Sequence, residues 1–106
     1  MSRIVDIQHE HHAWAVRNFP GSTPWQALLG VMEEGGELAH AYLKQSQMIR
    51  TDEDHRAAAR DAVGDITIYL MHFCTLMGWD LEYVVEEAWA KVQKRDWRKD
   101  PVKGGA

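Results

Sequence analysis

Apolar residues recur every three or four positions along most of this chain, the period of helices packed on one side. The first predicted helix runs from about Ser2 to Asn18, with Ile4, Ile7, His11 and Trp14 at helical spacing, and stops before Phe19-Pro20-Gly21. The second opens with Thr23 as N-cap, Pro24 at the first helical position and Gln26 completing a capping box. Trp25, Leu28, Leu29, Met32, Ala39, Tyr42 and Leu43 form its stripe, which reaches the neighbourhood of Gln47. A polar connection over 46–55 follows, where Thr51 or Asp52 is placed to cap a third helix. That helix carries Val63, Ile66, Tyr69, Leu70, Phe73 and Leu76 to about Met77, and Gly78 stops it. Asp80 caps a fourth, with Leu81, Val84, Val85, Ala88, Trp89 and Val92 on one side. No strand and no internal repeat is predicted. Residues 1–97 read as one domain and 98–106, with Pro101 and Gly104-Gly105, as a loose tail. The fold class is all-α, a four-helix bundle completed by oligomerisation, because four apolar stripes exceed what one short bundle covers.

Two interruptions of this pattern carry the chemistry. Glu33-Glu34-Gly35-Gly36-Glu37 lies within the second helix, and Asp61 and Asp65 lie within the third. Residues three or four apart share a helix face, so Glu34 and Glu37 are neighbours, as are Asp61 and Asp65. If the two helices pack antiparallel, the clusters face each other. Acidic groups beside a core repel one another and are costly to desolvate unless something positive sits between them. A hard divalent cation with oxygen ligands fills that role, and Mg²⁺ leaves positions for water and phosphate oxygens. Gly35 and Gly36 weaken the helix by about 1 kcal/mol each relative to alanine, which points to close approach by another backbone or a ligand. A solvated acidic face on each helix is the plain alternative.

Composition narrows the setting. The chain has 106 residues, 45% of them hydrophobic, which suits an ordered single domain. Residues 1–90 hold 6 Lys/Arg against 14 Asp/Glu, and residues 91–106 hold 6 against 2. An acidic body with a basic end argues against nucleic-acid coating. The single cysteine, Cys74, allows no internal disulfide and reads as a small core residue. No signal segment opens the sequence and no apolar run is long enough for a membrane span, so a cytoplasmic, soluble protein with no membrane partner is expected. His9, His11 and His12 have no Cys-x-x-Cys partner and point in different directions along a helix, so they read as surface or interface histidines rather than zinc ligands.

Glu33-Glu34-x-x-Glu37 followed by Gly64-Asp65-Ile66 on the next helix resembles the MazG-type all-α nucleoside triphosphate pyrophosphohydrolases of bacteria and bacteriophages, over Trp14 to the Lys94-Arg95-Asp96-Trp97 segment. The resemblance implies a MazG-like four-helix bundle working as a homodimer or homotetramer. It also implies Mg²⁺-dependent hydrolysis, with Mn²⁺ as a substitute ion, of an NTP, most readily a dNTP, to the monophosphate and pyrophosphate, in nucleotide-pool control or house-cleaning. By position, Glu34, Glu37 and Asp65 match metal ligands, and Glu33 matches a residue that orients or deprotonates the attacking water or helps to hold an additional metal. One position departs: where the family carries Glu three residues before the final Asp, this chain has Ala62, with Asp61 on a similar face as a substitute ligand.

A triphosphate also needs cations for its leaving group, and Lys91, Lys94 and Arg95 at the end of the fourth helix are the candidates. The resembled family lines its base pocket with the first helix, which selects Trp14 and Asn18, one turn apart. Two other readings stand beside the enzyme. One is a catalytically weak nucleotide-binding or regulatory helical module, for which Ala62 speaks. The other is a di-iron carboxylate protein, for which the Glu37-x-x-His40 spacing speaks.

Overall fold

Helix starts are set where a side-chain oxygen can take a free backbone N–H. Ser2 Oγ accepts from the Val5 N–H (3.1 Å), Asp54 Oδ1 from Ala57 (3.0 Å) and Asp80 Oδ1 from Glu82 (3.0 Å). At the second helix Gln26 Oε1 accepts from the Thr23 N–H at 2.9 Å, whereas Thr23 Oγ1 is buried without a partner. The computed structural model describes residues 2–105. Among them are four α-helices and no strand: α1 Arg3–Asn18, α2 Pro24–Gln47, α3 His55–Met77 and α4 Leu81–Val92.

Two boundaries differ from the sequence expectation. Asp54, not Thr51 or Asp52, caps α3. Met48 (φ 57°) and Arg50 (φ 50°) are left-handed, and Glu53 N–H returns to Arg50 O at 3.0 Å. This extra turn takes up the residues before Asp54. α4 stops at Val92, so Lys94 and Arg95 lie beyond it in a turn, their N–H groups reaching Lys91 O (3.3 Å) and Val92 O (3.1 Å). The residues expected as a loose tail form successive turns: Asp96 Oδ1 accepts from Arg98 and Lys99, and Asp100 Oδ1 from Val102 and Lys103. Ala106 lies outside the described residues.

α2 and α3 pack along their length. Gly30 lies beneath the Tyr69 ring, and Ala41 shares a groove with Ala58, which makes the pair antiparallel. Their seam is lined by small side chains: Ala27, Gly30 and Ala41 on α2, Ala62 on α3. Gly30 is needed, because a Cβ there would run into the Tyr69 ring. α1 packs on α3 and α4, and among the described residues no Cα of α1 or α4 comes within 8 Å of an α2 Cα.

Gln8 is the joint between these elements. Its Nε2 donates to Thr75 Oγ1 (3.1 Å) and Trp79 O (2.9 Å), and its Oε1 accepts from Leu81 N–H (2.9 Å). It thus ties the end of α3 and the start of α4 to α1. Cys74 is buried and free nearby; burial, and after it the Asp80 carboxylate, push its thiol above the usual range.

The buried apolar set is small: Ala15, Ala27, Ala41, Ala62, Met71 and Cys74. The apolar stripe of α2 is exposed in the chain, with Trp25, Met32 and Tyr42 all facing outward. α3 packs on the Ala/Gly side of α2, where the backbones come closest, and leaves the larger residues uncovered. The radius of gyration is 17.3 Å, against about 13 Å for a compact chain of 100 residues. No described helix is long and apolar enough to cross a membrane.

Candidate functional site

Three carboxylates meet on α2. Oxygens of Glu33, Glu34 and Glu37 all lie within 4.8 Å of one another. Helix geometry explains this: Glu34 and Glu33 precede Glu37 by three and four residues, about one turn, and no lysine or arginine on α2 lies between them. Glu34 is the unusual member. It sits on the seam in register with Ala27 and Ala41, only 9% exposed, and its Oε2 has no hydrogen-bond partner. Glu33 and Glu37 are exposed.

Burial raises the Glu34 carboxyl above its ordinary value, helped by contact with Glu37 and by the negative charges of Glu37, Asp65 and Glu33. The register that pairs Gly30 with Tyr69 and Ala41 with Ala58 sets Asp65 opposite Glu34, though it is outside the tight group of three. Asp61 is directed to a neighbouring groove of about 720 Å³ that it shares with Asp65, Gly64, Ile4 and Ile7. Ala62 is buried at the seam; the antiparallel register sets it opposite Glu37. The α3 side of the site thus offers Asp65 directly and nothing at position 62.

Beside the carboxylates lies an open groove of about 490 Å³ lined by Glu33, Glu37 and His40 of α2 and by Glu53 and His55. His55 is held in place, its Nε2 paired with Ile49 O at 3.0 Å. Among the described residues the ion pairs are Arg3 with Glu10 and His55 with Glu53, so no cationic side chain pairs with Glu33, Glu34 or Glu37.

The remaining candidates fall elsewhere. Lys91 lies on α4, no Cα of which comes within 8 Å of an α2 Cα, and Lys94 and Arg95 follow it. Trp14 is half-exposed and belongs to an aromatic cluster, its ring centroid 5.6 Å from His11 and 5.6 Å from Phe19. Asn18 uses Nδ2 locally, donating to Trp14 O at 2.9 Å. A groove of about 390 Å³ lies next to this cluster, lined by Phe19 to Ser22, Gln26, Tyr69 and His72.

His11 and His72 stack edge to face with centroids 5.2 Å apart, and each has a buried Nδ1 without a partner. Burial lowers both below the ordinary imidazole value; charge on His72 and His12 adds to it at His11, and charge on His12 at His72. Sequence reasoning did not single out Gln8, Gly30 or His72. Gln8 had a signal, a polar residue within the Ile4, Ile7, His11 stripe. Gly30 and His72 depend on the α2–α3 and α1–α3 registers, which no local pattern gives.

Compared with known proteins, the chain matches no family model, no curated protein and no solved structure.

Proposed function

We propose that this protein is a divalent-cation-dependent nucleoside triphosphate pyrophosphohydrolase, as its resemblance to the MazG-type enzymes implies. One observation carries the reading: Glu34, buried and unpartnered, faces Glu33, Glu37 and Asp65 with no cationic side chain paired to them. Oxygen donors alone, one of them desolvated, fit Mg²⁺ or Mn²⁺. Glu34, Glu37 and Asp65 would hold the ion, and Asp61 the edge of the site. A bound divalent ion would reverse the local sign, polarise a phosphoryl oxygen and acidify a coordinated water.

The chain's own part in the reaction is positional and basic. Glu33, exposed at the groove, takes the proton of the attacking water. The water oxygen bonds to one phosphorus, the bridging P–O bond breaks, and its electron pair leaves with pyrophosphate. Lys91, Lys94 and Arg95, which lie away from α2 within one chain, would neutralise that leaving group from a second subunit, and Trp14 and Asn18 would likewise contact the base from there. A homodimer or homotetramer is the working form. A regulatory nucleotide binder with weak catalysis is the second reading, favoured by the buried Ala62 where a further carboxylate would complete the α3 side.

The test is an assay for released pyrophosphate over a panel of NTPs and dNTPs with Mg²⁺ or Mn²⁺. Turnover that disappears in Glu37→Ala and Asp65→Ala, with helicity retained, is the expected result. Nucleotide binding without turnover selects the regulatory reading. Full activity in both variants rejects the site.

A further inference from the structure

His55 is held as a metal-binding histidine is held. It is the first residue of α3, just after the Asp54 cap, and its side chain is only 9% exposed. Nε2 lies 3.0 Å from the Ile49 carbonyl oxygen. A carbonyl only accepts, so Nε2 carries the hydrogen, and in the neutral ring Nδ1 is left with the lone pair. A backbone carbonyl fixing one ring nitrogen is the usual support behind a histidine whose other nitrogen binds a metal. Facing Nδ1 is the Glu53 carboxylate, its Oε2 4.0 Å away, beyond the roughly 2.7–3.2 Å of an N–H···O bond. An ionised carboxylate also offers only lone pairs, so the two atoms need something positive between them. Two bonds of about 2.0–2.2 Å, the lengths zinc makes to nitrogen and oxygen, span that gap.

We infer that His40, Glu53 and His55 form a second metal centre, for a transition ion of the Zn²⁺ type, at the α2–α3 connection. His40 lines the same groove of about 490 Å³ as the other two. The register that pairs Ala41 with Ala58 sets His40 level with Ala59, about one turn from His55. Its side chain is exposed and completes the set by turning into the groove. No lysine or arginine lines this groove to take the ion's place. Two imidazole nitrogens and a carboxylate suit Zn²⁺ with water at the fourth position, whereas Mg²⁺ takes oxygens. The centre is separate from the Glu34 site, since His55 lies about two turns along the hairpin from the level of Glu37, and it does not depend on the nucleotide reading. An ion there would clamp the connection, in which left-handed Met48 and Arg50 flank Ile49, onto α2.

The experiment titrates the full chain with Zn²⁺ by calorimetry in excess Mg²⁺. A parallel titration with Co²⁺ reads nitrogen ligation from its visible absorption. A Zn²⁺ site that Mg²⁺ does not displace, and from which Zn²⁺ expels Co²⁺ with loss of the visible bands, is expected. His40→Gln and His55→Gln should each weaken Zn²⁺ by about tenfold or more; if His55→Gln does not fold, His40→Gln, an exposed change, decides. The competing position is on α1, where His9 and His12 share a small groove with Asp80, and His9→Gln should leave the affinity unchanged. Absence of Zn²⁺ binding in excess Mg²⁺, which would leave His55 and Glu53 paired by a proton alone, overturns the inference. So does wild-type affinity in a folded His40→Gln or His55→Gln protein, or loss of the site in His9→Gln.

Discussion

Gln8 offers the sharpest energetic test of how the helices are joined. It is 8% exposed and makes three side-chain hydrogen bonds across about 70 residues of sequence, to Thr75, Trp79 and Leu81. Gln8→Leu keeps nearly the same volume, so the change is one of polarity and not of packing. Thr75 Oγ1 remains satisfied through its own bond to Met71 O at 3.1 Å. The Trp79 carbonyl and the Leu81 N–H do not; each would be left against an apolar side chain. Orphaning a buried backbone group costs about 1–3 kcal/mol, so two partly buried ones give a loss of about 2–4 kcal/mol.

Urea unfolding followed by far-UV circular dichroism, at one fixed protein concentration, reads this directly. The midpoint should fall with an unchanged slope. Gln8→Glu should fall between the two, since it still accepts from Leu81 but sets a carboxylate against the Trp79 carbonyl. A Gln8→Leu protein within about 0.5 kcal/mol of wild type, below even one ordinary hydrogen bond, would refute the joint.

Four further outcomes follow from the same geometry. Gly30→Ala places a methyl group in the Tyr69 ring and should destabilise by about 1–3 kcal/mol, despite alanine's better helix propensity; a stabilised variant in the same urea assay would show the seam to be looser than described. Ala62→Glu, opposite Glu37, should tighten Mn²⁺ binding by calorimetry and lower stability without metal; unchanged affinity would remove position 62 from the site. Because the Glu34 carboxyl is raised above its ordinary 4.5, its contribution to metal-free stability is present at low pH and lost as pH rises through the raised value; Mg²⁺ should therefore raise the melting temperature more at pH 8 than at pH 5, and an equal shift at both would contradict the assignment. His11 and His72 are lowered from 6.5, so their contribution is complete above that value and is lost as pH falls through the lowered ones; Trp14 fluorescence should report loosening of α1 in acid, and a flat profile in a His11→Phe protein but not in wild type would tie it to this pair.

The helices themselves were legible from local rules. Asp80 and Gly78 stand where the capping patterns put them, because a cap is decided by the few residues around it. The cap of α3 was misplaced for the same reason in reverse: two left-handed residues, Met48 and Arg50, lengthen the turn, and neither is a glycine that would advertise it. The apolar stripe of α2 was legible as a stripe; that α3 would pack on another side of α2 was not. Periodicity says which residues share a side of a helix; it does not say what covers that side. Ala27, Gly30 and Ala41 look unremarkable in sequence, yet their small size decides which side α3 takes.

The same small seam explains why Glu34 is special among the acidic residues. Two helices brought together over alanine and glycine leave little room for a lysine or arginine side chain to reach between them. A carboxylate placed there can be neutralised by a proton or by a compact ion, and the raised Glu34 carboxyl is the proton-bound alternative. Glu33 and Glu37, one turn apart and exposed, could be solvated without help; they become more than a surface cluster only because Glu34 anchors them to a desolvated point. In the proposed site, then, metal affinity and seam geometry are one property. Widening the seam with Ala27→Leu or Ala41→Leu should weaken Mn²⁺ binding although neither residue is a ligand. If calorimetry gave wild-type affinity in a folded variant of either kind, the link between close packing and the cation would be broken.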